Sequence, residues 1–307
     1  MRYITVSQDG QGDYISIGDA IEAVRVLPLE PVTIYVKNGV YREKLVVPDN
    51  KPNLTLVGES AEGTVIAWGD YAKMTDDRGR EIATFRTAAL KVEADDFRME
   101  NLTVQNTAGY GPEIGQAVAL YTAGDRQVYR GVRLLGWQDT LYTSRGRQYF
   151  EDCYIEGHVD YIFGSATVFF ESCKIHSLRG GYITAASTAE HTELGYVFRG
   201  CRLTGTAEEA SVYLGRPWRP AAHTVFIDTW MGLHIHPAGW DNWSNPDNER
   251  TSRYGEYGST GPGAAPAARV SWAAALTESE AKALDVQRVL GGHDEWNPDA
   301  AEAEAQR

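Results

Sequence analysis

One local pattern recurs six times in the middle of the chain: FRMENLTV (97–104), VYRGVRLL (128–135), YFEDCYIE (149–156), FFESCKIH (169–176), VFRGCRLT (197–204) and VFIDTWMG (225–232). Each places an aromatic or apolar run before a small or polar turn residue, then alternates apolar positions. Aligned on Asn101, Gly131, Asp152, Ser172, Gly200 and Asp228, the spacings are 30, 21, 20, 28 and 28 residues. Units of this size cannot bury an apolar face alone and must stack. The segments are short, β-branched and aromatic, with no helical periodicity between them, which argues against an α-solenoid. An antiparallel sandwich would require the recurrence to be coincidence. The expected fold is all-β: a single-stranded right-handed parallel β-helix with short terminal helices.

The ends break the pattern. Residues 16–26 (ISIGDAIEAVR) carry apolar positions at helical spacing and are expected to cap the solenoid. Thr277 and Glu280 form a capping-box pattern before a helical run ending at Gly291-Gly292. Residues 241–268, rich in Gly, Pro, Asn and Ser, read as a long surface excursion. One domain is expected over 1–298, followed by a frayed acidic tail at 299–307.

Charge narrows the function classes. With 29 basic against 42 acidic residues, the net charge of −13 leaves no basic stripe to release counterions from a nucleic acid. No apolar run reaches the ~18 residues of a membrane span. Cys153, Cys173 and Cys201 are too few for a disulfide scaffold and lack C-x-x-C spacing, so no structural metal is expected. They fall at equivalent coil positions and are expected to form a buried thiol ladder.

The alignment also pairs two acids. Asp139 lies eight residues after Gly131, and Asp160 eight after Asp152, so they occupy equivalent places on successive coils. Stacked strands bring such residues to about one strand spacing, ~4.8 Å. Two partly buried carboxylates that close titrate apart, one charged and one protonated. Gln138 and Gln116 offer neutral amide donors for a developing oxyanion. Arg216, in YLGRPWRP, supplies a planar fork that holds a carboxylate ionised, and Trp218 a stacking platform. A serine triad is not expected: Gly164-Ser165 lacks the G-x-S-x-G elbow, and His158 reads as structural or solvent-facing.

These motifs resemble the pectin methylesterase family, carbohydrate esterases built on a parallel β-helix. The matching segments run in order through nearly the whole chain: GVYREKL (39–45), TFRTA (84–88), QNTAG (105–109), QAVAL (116–120), GWQDTLY (136–142), DYIFGSA (160–166), YLGRPW (213–218), PAGWDNW (237–243), YGEYGSTGPGA (254–264) and RVSW (269–272). The resemblance implies Asp160 as nucleophile and Asp139 as general acid, then base. It implies Gln138 as oxyanion donor with Gln116 assisting, and Arg216 and Trp218 as substrate-binding and carboxylate-positioning residues. Thr84 corresponds to a substrate contact, and Phe163 and Tyr142 line the sugar groove.

The expected reaction is hydrolysis of galacturonate C6 methyl esters in pectin or its oligomers, without metal or organic cofactor and by a monomer. Family members can bridge a cysteine pair placed like Cys153 and Cys173, so an optional bridge accompanies the ladder. The resemblance also implies secretion or the cell surface. MRYITVSQDG shows no secretion signal, which leaves a trimmed mature form or a cytoplasmic protein open. The rival is a retaining glycoside hydrolase on the same solenoid, since paired carboxyls serve that mechanism too. A silent carbohydrate-binding protein would keep Trp218 and Phe163 but has no use for both acids.

Overall fold

The computed structural model describes residues 2–298; the tail expected at 299–307 lies outside them. Every ladder between strands is parallel, and the coils stack into a β-helix of three faces. The first face is one sheet of eleven strands, from Arg2–Val6 to Ala274–Ala275. The second includes Thr103–Asn106, Arg133–Leu135, Arg202–Gly205 and Trp230–Met231, and the third includes Leu120–Thr122, Leu141–Thr143 and Val212–Gly215. Two long strands, Tyr154–Gly164 and Lys174–Ala186, run from the second face into the third, with register shifts between Gly157 and Ile162.

The repeat has a conformational cause. Asn101, Gly131, Asp152, Ser172, Gly200 and Asp228 all sit at φ between +50° and +62°. Only residues tolerant of the left-handed region serve there, which explains Gly, Asn, Asp and Ser. Each donates its N–H one coil on, for example Gly131 to Glu151 (3.1 Å) and Asp228 to Tyr257 (2.8 Å), so the corner is a continuous hydrogen-bonded ladder. Before it, alternate residues of the first face point inward. Tyr129, Phe150, Phe170, Phe198 and Phe226 are in register and stack with centroids 4.3–5.1 Å apart. The outward row, including Val128, Tyr149, Phe169 and Val197, is covered by Ala281, Val289 and Leu290 of the C-terminal helices. Both faces of these strands are therefore buried, which accounts for continuous rather than alternating apolar runs.

Several expectations are refined. The N-terminal helix is shorter, Ile17–Ala23, with Ser16 and the Glu43 carboxylate receiving its first N–H groups. The capping box of Thr277 and Glu280 is present, but the helical run divides into Glu278–Ala283 and Val286–Leu290 because Asp285 caps a new start. The stretch 241–268 is not a surface excursion throughout: Arg253–Tyr257 joins the first face beside His223–Ile227, and Tyr254 stacks on buried Trp240 at 4.2 Å. Cys153, Cys173 and Cys201 are free and buried, each thiol donating to a carbonyl.

A Cβ added at Gly200 (φ +62°) would meet only Ser172 Oγ at 3.8 Å, so substitution there tests conformation rather than space. Gly200→Val is expected to cost about 1–2 kcal/mol of unfolding free energy, and Gly200→Asn a small fraction of that, by denaturant titration. Equal costs would remove this account of the repeat.

Candidate functional site

Asp139 and Asp160 lie where the chain turns from the second face into the third. The Asp139 N–H donates to Val159 O (3.1 Å), and Leu141–Thr143 pairs in register with Ile162–Gly164, which sets the two aspartates on adjoining coils. Both are 7% exposed. Both also hold positive φ, +65° at Asp139 and +50° at Asp160. Strain of this kind persists where the surroundings fix the backbone firmly.

A third group breaks the symmetry of the pair. Arg216 donates from Nε to Asp160 Oδ1 (2.9 Å) and from Nη2 to Asp160 Oδ2 (2.7 Å), a two-pronged contact that Asp139 lacks. Its guanidinium lies between two rings, 3.9 Å from the Tyr182 centroid and 3.8 Å from that of Trp243. The Arg216 N–H donates to Thr184 O (3.0 Å), anchoring the residue to the preceding coil. Cation and plane are thus fixed together.

The acids titrate unequally as a result. Burial pushes the Asp139 carboxyl well above the ordinary range; the Asp160 charge adds to this and Arg216 opposes it. Burial raises Asp160 as well, but there the Arg216 hydrogen bonds and charge pull back. The proton shared by such a pair resides on Asp139.

The other residues singled out in the sequence gather on the same face. Gln138 precedes Asp139, and its carbonyl accepts from Ala117 (3.1 Å), so Gln116 and Gln138 stand on neighbouring coils. Both are half-buried, and among the described residues no hydrogen bond ties either side-chain amide. Tyr142 stacks on Phe163 at 4.6 Å, and Trp218 meets that ring edge-on at 5.8 Å. Thr84 opens the 3-10 turn Thr84–Arg86, which carries Phe85 onto Tyr142 at 4.9 Å.

Three contributors escape sequence reasoning. Tyr182 and Trp243 clamp Arg216, and Phe85 closes the aromatic cluster, 46% exposed. Trp243 lies within the PAGWDNW likeness but outside any coil alignment. Phe85 lies within the TFRTA likeness, and Tyr182 lies in none of the matching segments. His158 packs edge-on to Tyr110 and Trp137, and burial lowers its basicity. Ser165 Oγ donates to the backbone carbonyl of Ser144, so that hydroxyl is engaged and not poised as a nucleophile. Among the described residues no three His, Cys, Asp or Glu side chains group to hold a metal ion.

The family model described as Pectinesterase matches residues 3–293. Pectinesterase 31 of Arabidopsis thaliana is 42% identical over 285 residues, covering 91% of this chain and 89% of that relative. Pectinesterase QRT1 of the same plant is 39% identical, covering 96% and 78%. A crystal structure of pectin methylesterase in complex with hexasaccharide VII matches with TM-score 0.87 at 33% identity, over 97% of this chain and 98% of that one. Pectin methylesterase from carrot matches with TM-score 0.87 at 32% identity, over 95% and 93%.

The raised affinity of Asp139 for its proton has a thermodynamic sign. A carboxyl that binds its proton more tightly folded than unfolded contributes stability at low pH, and this is lost as pH rises through its folded pKa. Asp139→Asn, which never ionises and tolerates positive φ, is therefore expected to raise the thermal midpoint at neutral and alkaline pH. The gain should shrink to nothing below the ordinary carboxylate range. A gain independent of pH would show that Asp139 does not carry this proton.

Proposed function

The chain belongs to the pectinesterase family, a class of carboxylic ester hydrolases that demethylate pectin, and from that premise we propose how its side chains divide the work. The reaction hydrolyses the C6 methyl ester of a galacturonate unit, releasing methanol and a free carboxylate. In the proposed first step, Asp160, kept ionised by Arg216, attacks the ester carbonyl carbon. The developing oxyanion accepts hydrogen bonds from the Gln138 and Gln116 amides. Asp139 gives its proton to the departing methoxide, leaving an anhydride between substrate and Asp160. Asp139, now a carboxylate, takes a proton from water, which attacks the substrate carbonyl. Asp160 departs as a carboxylate, and Asp139 regains its proton. Carboxylates, amides and water balance the reaction without a cofactor. Trp218, Phe163, Tyr142 and Thr84 are assigned to contacts with the sugar chain. We take residues 1–298 as one catalytic domain acting as a monomer.

One observation carries this reading: two buried acids in register, of which only Asp160 is held in the Arg216 fork. A retaining glycoside hydrolase would also want paired carboxyls. The untied amides of Gln116 and Gln138 favour acyl chemistry, because an oxyanion needs donors and an oxocarbenium-like centre does not.

Methylated pectin should yield methanol with no new reducing ends; reducing ends without methanol would move the assignment to the hydrolase. Asp160→Ala is expected to lower methanol release by about four orders of magnitude or more, and Gln138→Ala by about 10²–10³-fold. An undiminished rate in either variant removes that residue's role. Arg216→Lys keeps the charge but loses the fork that draws the Asp160 pKa down. Its acid limb of kcat/KM should therefore move to higher pH, and an unmoved limb would mean that another group ionises there.

A further inference from the structure

The second face carries a row that the reaction does not use. Arg133, Tyr154, Lys174, Arg202 and Trp230 stand on five successive rungs, each paired in register with the next. All five side chains are on the outer side, half-buried or exposed, while the alternate residues Leu134, Ile155, Ile175, Leu203 and Met231 are buried. Arg133 lies 5.5 Å and Lys174 5.6 Å from the Tyr154 ring, and Arg202 lies 4.4 Å from that of Trp230.

The row gathers three cations on neighbouring rungs. On a chain of net charge −13, Arg126, Arg147 and Arg269 are matched to Asp96, Asp294 and Glu256. Arg133, Lys174 and Arg202 have no ion pair with any described carboxylate and rest on ring faces alone. Acids near the row include Glu156, which accepts from the Tyr154 hydroxyl (2.7 Å), Glu209, which lines one hollow with Trp230, and Asp152 and Asp228 at the corner ladder. Successive rungs advance ~4.8 Å. The row thus offers cations to carboxylates and ring faces to pyranose faces.

We propose that this row is a second carbohydrate-binding surface, specific for de-esterified galacturonan, the polyanionic product. The inference rests on the esterase reading above, because only that reaction makes the polyanion. The location suits such a role: Arg133 and Tyr154 lie six residues before Asp139 and Asp160 on the same coils. A chain already demethylated would be retained on one face while neutral, methylated stretches meet the acids. The force is electrostatic and stacking in kind, so retention should weaken with salt.

Affinity electrophoresis through gels containing polygalacturonate tests the surface. A variant carrying Arg133→Gln, Lys174→Gln and Arg202→Gln is compared with the wild-type chain. A control carrying Arg2→Gln, Arg25→Gln and Arg78→Gln makes the same change in net charge elsewhere. The row variant is expected to bind polygalacturonate about tenfold more weakly, with an unchanged thermal midpoint and unchanged methanol release from a short methylated oligogalacturonide. The control should bind as the wild-type chain does. Equal retention of row variant and wild type, equal loss in the control, or wild-type retention on dextran sulfate but not on polygalacturonate would each overturn the proposal. A wild-type chain that releases no methanol from the short oligomer would sink the esterase reading and the identity of this ligand together. A failure of retention alone leaves the esterase reading standing.

Discussion

Parallel stacking in register makes a strand side chain of this molecule the neighbour of its counterpart one coil on. That constraint builds the aromatic core ladder from Tyr129 to Phe226 and the three stacked thiols. It is indifferent to comfort: where the repeated residue is an acid, two carboxyls meet under cover as surely as two phenylalanines do. Repulsion that would disperse such a pair in a loop is resisted here by backbone hydrogen bonds on both sides of it, such as that from Asp139 N–H to Val159 O. The site's chemical tension is therefore a by-product of the fold's own geometry.

A stack cannot by itself make the two acids different. The difference comes from a residue that approaches across the coils, and Arg216 does so under unusual restraint. Desolvation works against its charge, while Asp160 and the Tyr182 ring work for it. A buried, forked ion pair adds little net stability because desolvation offsets attraction, yet losing one partner costs about 3–5 kcal/mol. What the clamp gives is selectivity between two otherwise equivalent carboxyls. The returning stretch that carries Trp243 closes the clamp from the other side, so the site spans distant parts of the chain.

This division explains what the sequence reveals. The repeat between residues 97 and 232 was legible: the corner residues, the coil spacing, and the pairing of Asp139 with Asp160 all follow from one alignment. The coils before residue 97 were not, because Leu54–Gly58 and Arg98–Glu100 are paired rungs separated by a long insertion that hides the period. Contacts made across the stack were equally hidden. Nothing in the neighbourhood of Tyr182, Phe85 or Trp243 indicates which surface their rings will cover. The break at Asp285 was missed for a different reason: a helical pattern continues through it, and a side-chain cap decides the matter.

The acidity of the molecule then ceases to be a paradox for an enzyme whose product is an acid. At physiological ionic strength, exposed charges farther apart than ~8 Å are largely screened, so the −13 total governs solubility more than recognition. Buried cations escape much of that screening. Arg216 acts at short range on the Asp160 carboxylate that it already holds. A strongly cationic groove would instead bind carboxylates without distinguishing ground state from transition state, and uniform binding of that kind does not speed the chemical step.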